Sequence, residues 1–187
     1  MGEGSEDEVS RRRAQQLPKA KFIEDVKQYV DSKGGDAEMV IKELNSNYQN
    51  YKIIEHQLLQ KRVRLQQKLP DIRKALDTVK LLKQKRDNEQ DLTVDFELSE
   101  QVFTKAVVKR PDSVKLWLGA NVMLEYPLEE AEELLETNLS NCKKNLDTNQ
   151  SDLNYIKDCI TTTEVSIARV YNFDVSLRKS KTTSEED

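Results

Sequence analysis

Glycine and proline are scarce in this sequence, at five and four residues in 187. That is a poor recipe for a compact sphere. Aromatics reach only 6 % and tryptophan occurs once, too little bulk for a large spherical core. The one histidine, His56, lies among charged neighbours and reads as a surface residue. No cysteine–histidine group has metal-ligand spacing. Cys142 and Cys159 are the only cysteines. On one helix they would lie about 25 Å apart, out of disulfide reach, and free thiols suit a reducing compartment. No run approaches the roughly 18 apolar residues of a membrane span. Met1 to Arg13 has no apolar stretch, so no secretory signal is expected there. The pair Gly34-Gly35 has no strand before it and no lysine after it, which excludes a phosphate-cradling loop. Acids are plentiful, but on solvated helices nothing would raise their pKa or enclose a substrate. The expectation is a protein that is not an enzyme and uses no metal or other cofactor. The sequons at Asn138 and Asn149 fall in a strongly helical stretch and read as accidental.

What the sequence does have is charge. Acidic and basic residues make up 34 % of it, intermingled to a net −4. That composition suits long exposed helices with a narrow apolar seam. It leaves no broad basic footprint for nucleic acid. A local stripe of Lys61, Arg62, Arg64, Lys68, Arg73 and Lys74 lacks interleaved aromatics and reads as a solvated flank. Residues 1–18, including Arg11 to Arg13, carry no periodicity and read as a disordered tail. Residues 176–187 read as a second one.

The domain between them, 19–175, opens with a short amphipathic helix over 21–32, with Phe22, Ile23, Val26, Tyr29 and Val30 on one face. Gly34-Gly35 ends it and Asp36 can cap the next helix. That helix is expected over 36–90. Its apolar positions run Leu44, Tyr51, Leu58, Leu65, Ile72, Val79 in one register. Ile41, Tyr48, Glu55, Arg62, Leu69, Leu76 and Lys83 form the other. Alternating steps of four and three residues are a coiled-coil seam. The pattern keeps phase through Pro70, which predicts a kink rather than a break. A second long helix over 127–175 repeats the seam. Leu139, Leu146, Leu153, Ile160 and Ile167 form one row. Leu128, Leu135, Cys142, Asn149, Ile156, Thr163 and Val170 form the other. At 1.5 Å per residue the helices span about 80 and about 70 Å, and near-equal lengths suggest antiparallel pairing.

Between them, over 92–126, the period changes to two. Leu92, Val94, Phe96 and Leu98 alternate with polar residues, and Val102 to Val108 follows after a turn at Ser99 to Gln101. Val114, Leu116 and Leu118 share one face of a third strand. Gly119-Ala120-Asn121 makes a compact turn into Val122 to Tyr126. Pro127 is expected at the first helical position, followed by Glu129 and Glu130. The fold class is mainly α, a long antiparallel two-helix coiled coil joined by two β-hairpins.

The segment Leu116-Trp-Leu-Gly-Ala-Asn-Val-Met-Leu-Glu-Tyr126, followed by Glu129-Glu130-Ala131, resembles the second hairpin of α-class prefoldin subunits. The stretch from Thr162 to Phe173 is similar to the end of one subunit of that class. The resemblance covers about Lys21 to Phe173. It implies a subunit of a heterohexamer with a second α-class and four β-class chains. In that family the hairpins build β-barrels and the coiled coils hang as tentacles. The tentacles hold unfolded actin and tubulin without nucleotide and pass them to the cytosolic chaperonin, in the cytoplasm and with the nucleus as a second compartment. No nucleic acid and no membrane is involved.

Two isolated hairpins are marginal and offer open edges. Phe96, Leu98, Phe103, Val114, Leu116, Leu118 and Val122 are therefore the expected assembly contacts. Val40, Ile41, Tyr48, Ile167, Val170, Tyr171 and Phe173, at the helix ends remote from the hairpins in sequence, are the expected client contacts. They can also simply finish the seam or pack against the short helix. The alternative function, a coiled-coil scaffold subunit of another cytoplasmic complex, accounts for the seams and not for the four strands.

Overall fold

The computed structural model describes residues 19–119 and 121–183, with side chains to Lys179. The expected tail over 1–18, Ala120 and the last four residues lie outside that range. The element order is α1 (Val26–Ser32), α2 (Ala37–Asp87), β1 (Leu92–Ser99), β2 (Val102–Val108), β3 (Ser113–Gly119), β4 (Val122–Pro127) and α3 (Leu128–Thr183). The fold is two long helices joined by two antiparallel hairpins, as the periodicities predict. Among the described residues no helix is long and apolar enough to cross a membrane.

Local chemistry sets the boundaries. Asp25 caps α1 by accepting from the Gln28 N–H at 2.9 Å, so the helix starts later than expected. Phe22 and Ile23 belong to the segment leading into it. Asp36 caps α2, its Oδ1 accepting from the N–H of Glu38 at 2.9 Å. Both helices close with the same pair of bonds. Gly35 N–H reaches Val30 O at 2.9 Å and Gly34 N–H reaches Asp31 O at 3.2 Å. Gln90 N–H reaches Lys85 O at 2.9 Å and Glu89 N–H reaches Arg86 O at 3.0 Å. This cap needs a left-handed residue just past the helix. Gly34 supplies it at φ 100°, and Glu89 supplies it at φ 54° despite its side chain. The helix α2 passes through Pro70 without interruption.

Two expectations at the ends of α3 are corrected. Pro127 pairs with Ser113 as the last residue of β4, and α3 starts at Leu128. Its first N–H donates to Asp112 O at 3.1 Å. The helix does not stop near 175 but runs to Thr183. No glycine or proline interrupts it there, and Arg178 bridges Asp174 one turn back at 2.8 Å and Glu38 at 2.5 Å.

The described chain forms two compact units, one of Lys61–Asn149 and one of the described residues before 61 and after 149. In the first, Lys80–Glu136 at 2.6 Å, Lys83–Glu132 at 2.7 Å and Arg86–Glu129 at 2.6 Å tie α2 to α3. As one partner's number rises the other's falls, so the segments run antiparallel. Their core is Leu76, Val79, Leu128, Ala131 and Leu135. In the second unit Tyr51 packs with Ile156, Cys159 and Ile160, and the earlier Val40 and Leu44 pack with the later Val170, again antiparallel. A separate cluster gathers Ile23, Val30, Ala37, Val40, Leu44 and Val170. Each unit holds one buried cysteine, Cys142 in the first and Cys159 in the second.

Candidate functional site

Among the described residues no group of three His, Cys, Asp or Glu could hold a metal ion. His56 is exposed, its Nε2 2.8 Å from Gln60. The surfaces with something to offer are apolar ones.

In the first hairpin a tight turn at Glu100-Gln101, with Gln101 at φ 64°, reverses the chain. Leu92 faces Val108, Val94 faces Ala106, and Phe96 faces Thr104. Side chains alternate across a strand, so these residues share one side. Phe96, Leu98 and Val102 are 57, 63 and 54 % exposed. Phe103 pairs with Glu97 and so lies on the opposite face from Phe96. The expected contacts of this hairpin therefore fall on two faces, not one.

In the second hairpin Gly119 at φ 88° and Asn121 at φ 61° make the turn. Val114 faces Tyr126 and Leu116 faces Leu124. Val114, Leu116 and Tyr126 pack on the cluster of Leu76, Val79 and Leu128. Val114 and Leu116 are thus partly used by their own chain, against the expectation that they wait for a partner. Alternation continues the same face through Leu118, Val122 and Leu124, which are exposed. The other face carries the cross-strand pair Trp117–Met123, also exposed. That pair was missed as a surface, although the stretch around Trp117 is the most distinctive in the sequence. Its signal was the position of Trp117 between Leu116 and Leu118, in antiphase to both. Each two-stranded sheet also leaves an unpaired backbone edge on both strands.

Charge borders this region on the helices. The Lys83 ammonium, hydrogen-bonded to Glu132, holds that carboxylate below its ordinary 4.5, and the Arg86 guanidinium does the same to Glu129. These pairs are solvated, so they orient the segments more than they stabilise them.

The expected client contacts are distributed differently. Val40 and Val170 are closed off, at 1 and 0 % exposure. Ile41, Ile167 and Phe173 pack around them. Tyr48 belongs to another cluster, with Tyr51 and Ile156, and its ring carries the Lys52 ammonium at 5.8 Å. Burial raises the pKa of Tyr51 beside it. Tyr171 alone of the seven is exposed, at 58 %. What covers Val40 and Val170 is the segment before α2. Ile23 and Val30 are buried there, and Val26 and Tyr29 are packed alongside. Arg169 fixes this segment from outside. One guanidinium nitrogen donates to Glu24 O at 2.8 Å, and the group stands 5.2 Å from the Phe22 ring.

Two hairpins with open apolar faces, set between antiparallel helices, define a hairpin coiled-coil protein. The family model for prefoldin subunits matches residues 51–173. The chain is 44 % identical to prefoldin subunit 3 of Mus musculus over 163 residues, 87 % of this chain and 83 % of the relative. It is 39 % identical to the probable prefoldin subunit 3 of Caenorhabditis elegans over 170 residues, 89 and 90 % of the two chains. A cryo-EM structure of filamentous PFD from Methanocaldococcus jannaschii aligns with a TM-score of 0.48 at 20 % identity, over 63 % of this chain and 94 % of that one. The chain belongs to the prefoldin family.

Proposed function

We propose that this chain is an α-class subunit of a prefoldin heterohexamer, joined there by a second α-class and four β-class chains. The observation that carries this reading is the state of the hairpins. Phe96, Leu98, Leu118, Val122 and Leu124 present apolar side chains to water on sheets with open edges, while the helix seam of the same chain is closed. Strands from other subunits would satisfy both the edges and the faces. The assembled complex holds non-native polypeptides such as actin and tubulin chains without ATP and delivers them to the cytosolic chaperonin. It does so in the cytoplasm, and in the nucleus where the complex enters it. The subunit contributes surface, not catalysis.

Co-expression with the five other subunits tests the assembly. Phe96→Asp with Leu118→Asp puts two charges where apolar contact is needed. Leu116 is avoided because it packs on its own helices. The double variant should drop out of the hexamer while its far-UV helix signal persists. Normal incorporation would show that the hairpins are not the assembly surface. Suppression of aggregation of denatured actin by the wild-type complex, unchanged by added ATP, tests the holding activity.

A further inference from the structure

The groove between the start of α2 and residues 167–173 of α3 is lined by Val40, Ile41, Leu44, Ile167, Val170 and Phe173, and it is filled. Its occupant is the chain's own segment ahead of α2. The filling side chains are Ile23, Val26 and Val30, spaced i, i+3 and i+7, with Tyr29 beside them. Val26 and Val30 lie one turn apart on α1 and Ile23 just precedes it, so a short run of aliphatic side chains anchors the segment in the groove.

Several features make this occupant removable. The helix in it has seven residues, too few to persist alone in water. An open recess of about 570 Å³ is lined by Lys21 to Asp25, Gln28, Tyr29 and Ser32. All of these belong to the segment itself, so its outer side lies open to solvent while Ile23 and Val30 are buried. Its tie to α2 is Gly34-Gly35, at φ 100° and 80° with open space around both. A pair of glycines in that region is a ready hinge. The external fastenings, Arg169 on Glu24 O and on Phe22, with Lys33 bridging Glu43 at 2.9 Å, lie at or near the solvent-exposed rim.

We infer that this groove is a peptide-binding site which residues Lys19–Gly35 occupy as a displaceable cap, and that a non-native client segment bearing aliphatic side chains at the same spacing takes the place of Ile23, Val26 and Val30. The inference rests on the reading that the complex holds non-native chains. It goes beyond it by naming the site, the competing segment and the side-chain pattern selected. A site closed by its own cap shows an affinity reduced by the fraction of time it is open.

The test uses the assembled complex with the full-length chain, either wild-type or carrying Ile23→Asp and Val30→Asp. The probe is a fluorescent peptide with the sequence of residues 19–35. The uncapped complex should bind the peptide on the order of tenfold more tightly than wild type. It should also hold denatured actin at lower concentration and release it as the peptide is added. Equal peptide affinity for both complexes overturns the cap. Tight peptide binding that leaves held actin in place overturns the overlap of the two sites. If neither complex holds actin, the holding reading fails, and peptide binding still decides the cap. Should the charged pair disturb folding, Phe22→Ala with Arg169→Ala loosens the segment from its rim. Amide exchange over residues 26–32 should then quicken and peptide affinity rise by a smaller factor. Unchanged exchange in that variant counts against a displaceable cap.

Discussion

Leu118 stands 46 % exposed on the second hairpin, and Val40 stands 1 % exposed at the start of α2. Both are aliphatic residues beyond the regular part of a seam. The difference lies in what the chain provides for each. In the unit of Lys61–Asn149, the helices accept Val114, Leu116 and Tyr126 from the hairpin and leave the rest of that face bare. In the other unit an added segment reaches back and covers the helix ends. One region leaves its apolar surface open, and the other covers it with its own chain. The two surfaces are alike in their aliphatic side chains, so coverage by the chain and not hydrophobicity separates them.

The strongest way to break this comparison is to open a core that both readings treat as closed. Leu128 is fully buried under the second hairpin. Leu128→Ala should cost about 2–5 kcal/mol, as buried leucine truncations do, measured as a fall in the urea midpoint. Leu118→Ala on the same hairpin should change the isolated chain's stability by less than about 0.5 kcal/mol. Comparable losses from both would mean that Leu118 is not free in the single chain.

Asn149 sharpens the contrast from within the seam. Its side chain is fully buried, and neither amide atom has a partner. An unsatisfied buried amide costs about 1–3 kcal/mol, and leucine has nearly the same shape. Asn149→Leu should therefore raise stability by about 1–2 kcal/mol while weakening the selection of one helix register. A drop in stability would point to a bridging water held by the amide.

A smaller effect follows from charge. Glu129 and Glu132 titrate below the ordinary 4.5 because Arg86 and Lys83 hold their charged forms. Their contribution is present above 4.5 and is lost as pH falls through the lowered folded values. A thermal midpoint followed downward from pH 5 should show the loss, and added salt should shrink it. Lys83→Met should flatten the profile.

The smallest effect concerns Glu89. A side chain at φ 54° costs about 1 kcal/mol relative to glycine, partly offset by the freedom glycine gains when unfolded. Glu89→Gly should stabilise by a few tenths of a kcal/mol, seen as a small rise in midpoint. Gly34→Val, at the matching cap of α1, should loosen the capping segment.

The seams were legible because a repeated register averages over local exceptions. Every residue of the second α3 row, from Leu128 to Val170, is buried, including Asn149 and Thr163. On α2 even Glu55, Arg62 and Lys83 are at least half covered. The hairpins were legible from their two-residue period and turn chemistry. Burial at the ends of a seam was not legible, since the same aliphatic pattern serves an open or a covered groove. The end of α3 was misread because charge was taken for disorder, while Arg178 finds carboxylates on two helices. Trp117–Met123 escaped notice because a strand's second face is visible only once register is known.

The two cysteines turn the division of the molecule into something that can be timed. Cys142 is buried in the hairpin-bearing unit, its Sγ 3.6 Å from Leu65 O, and Cys159 is buried in the capped one. A thiol reagent reaches either sulfur only after its stretch of helix pair has parted. The unmodified protein thus reports two opening rates from two positions, distinguishable by the mass of the labelled peptide. A client or partner that engages one region should slow or speed one thiol and leave the other's clock alone.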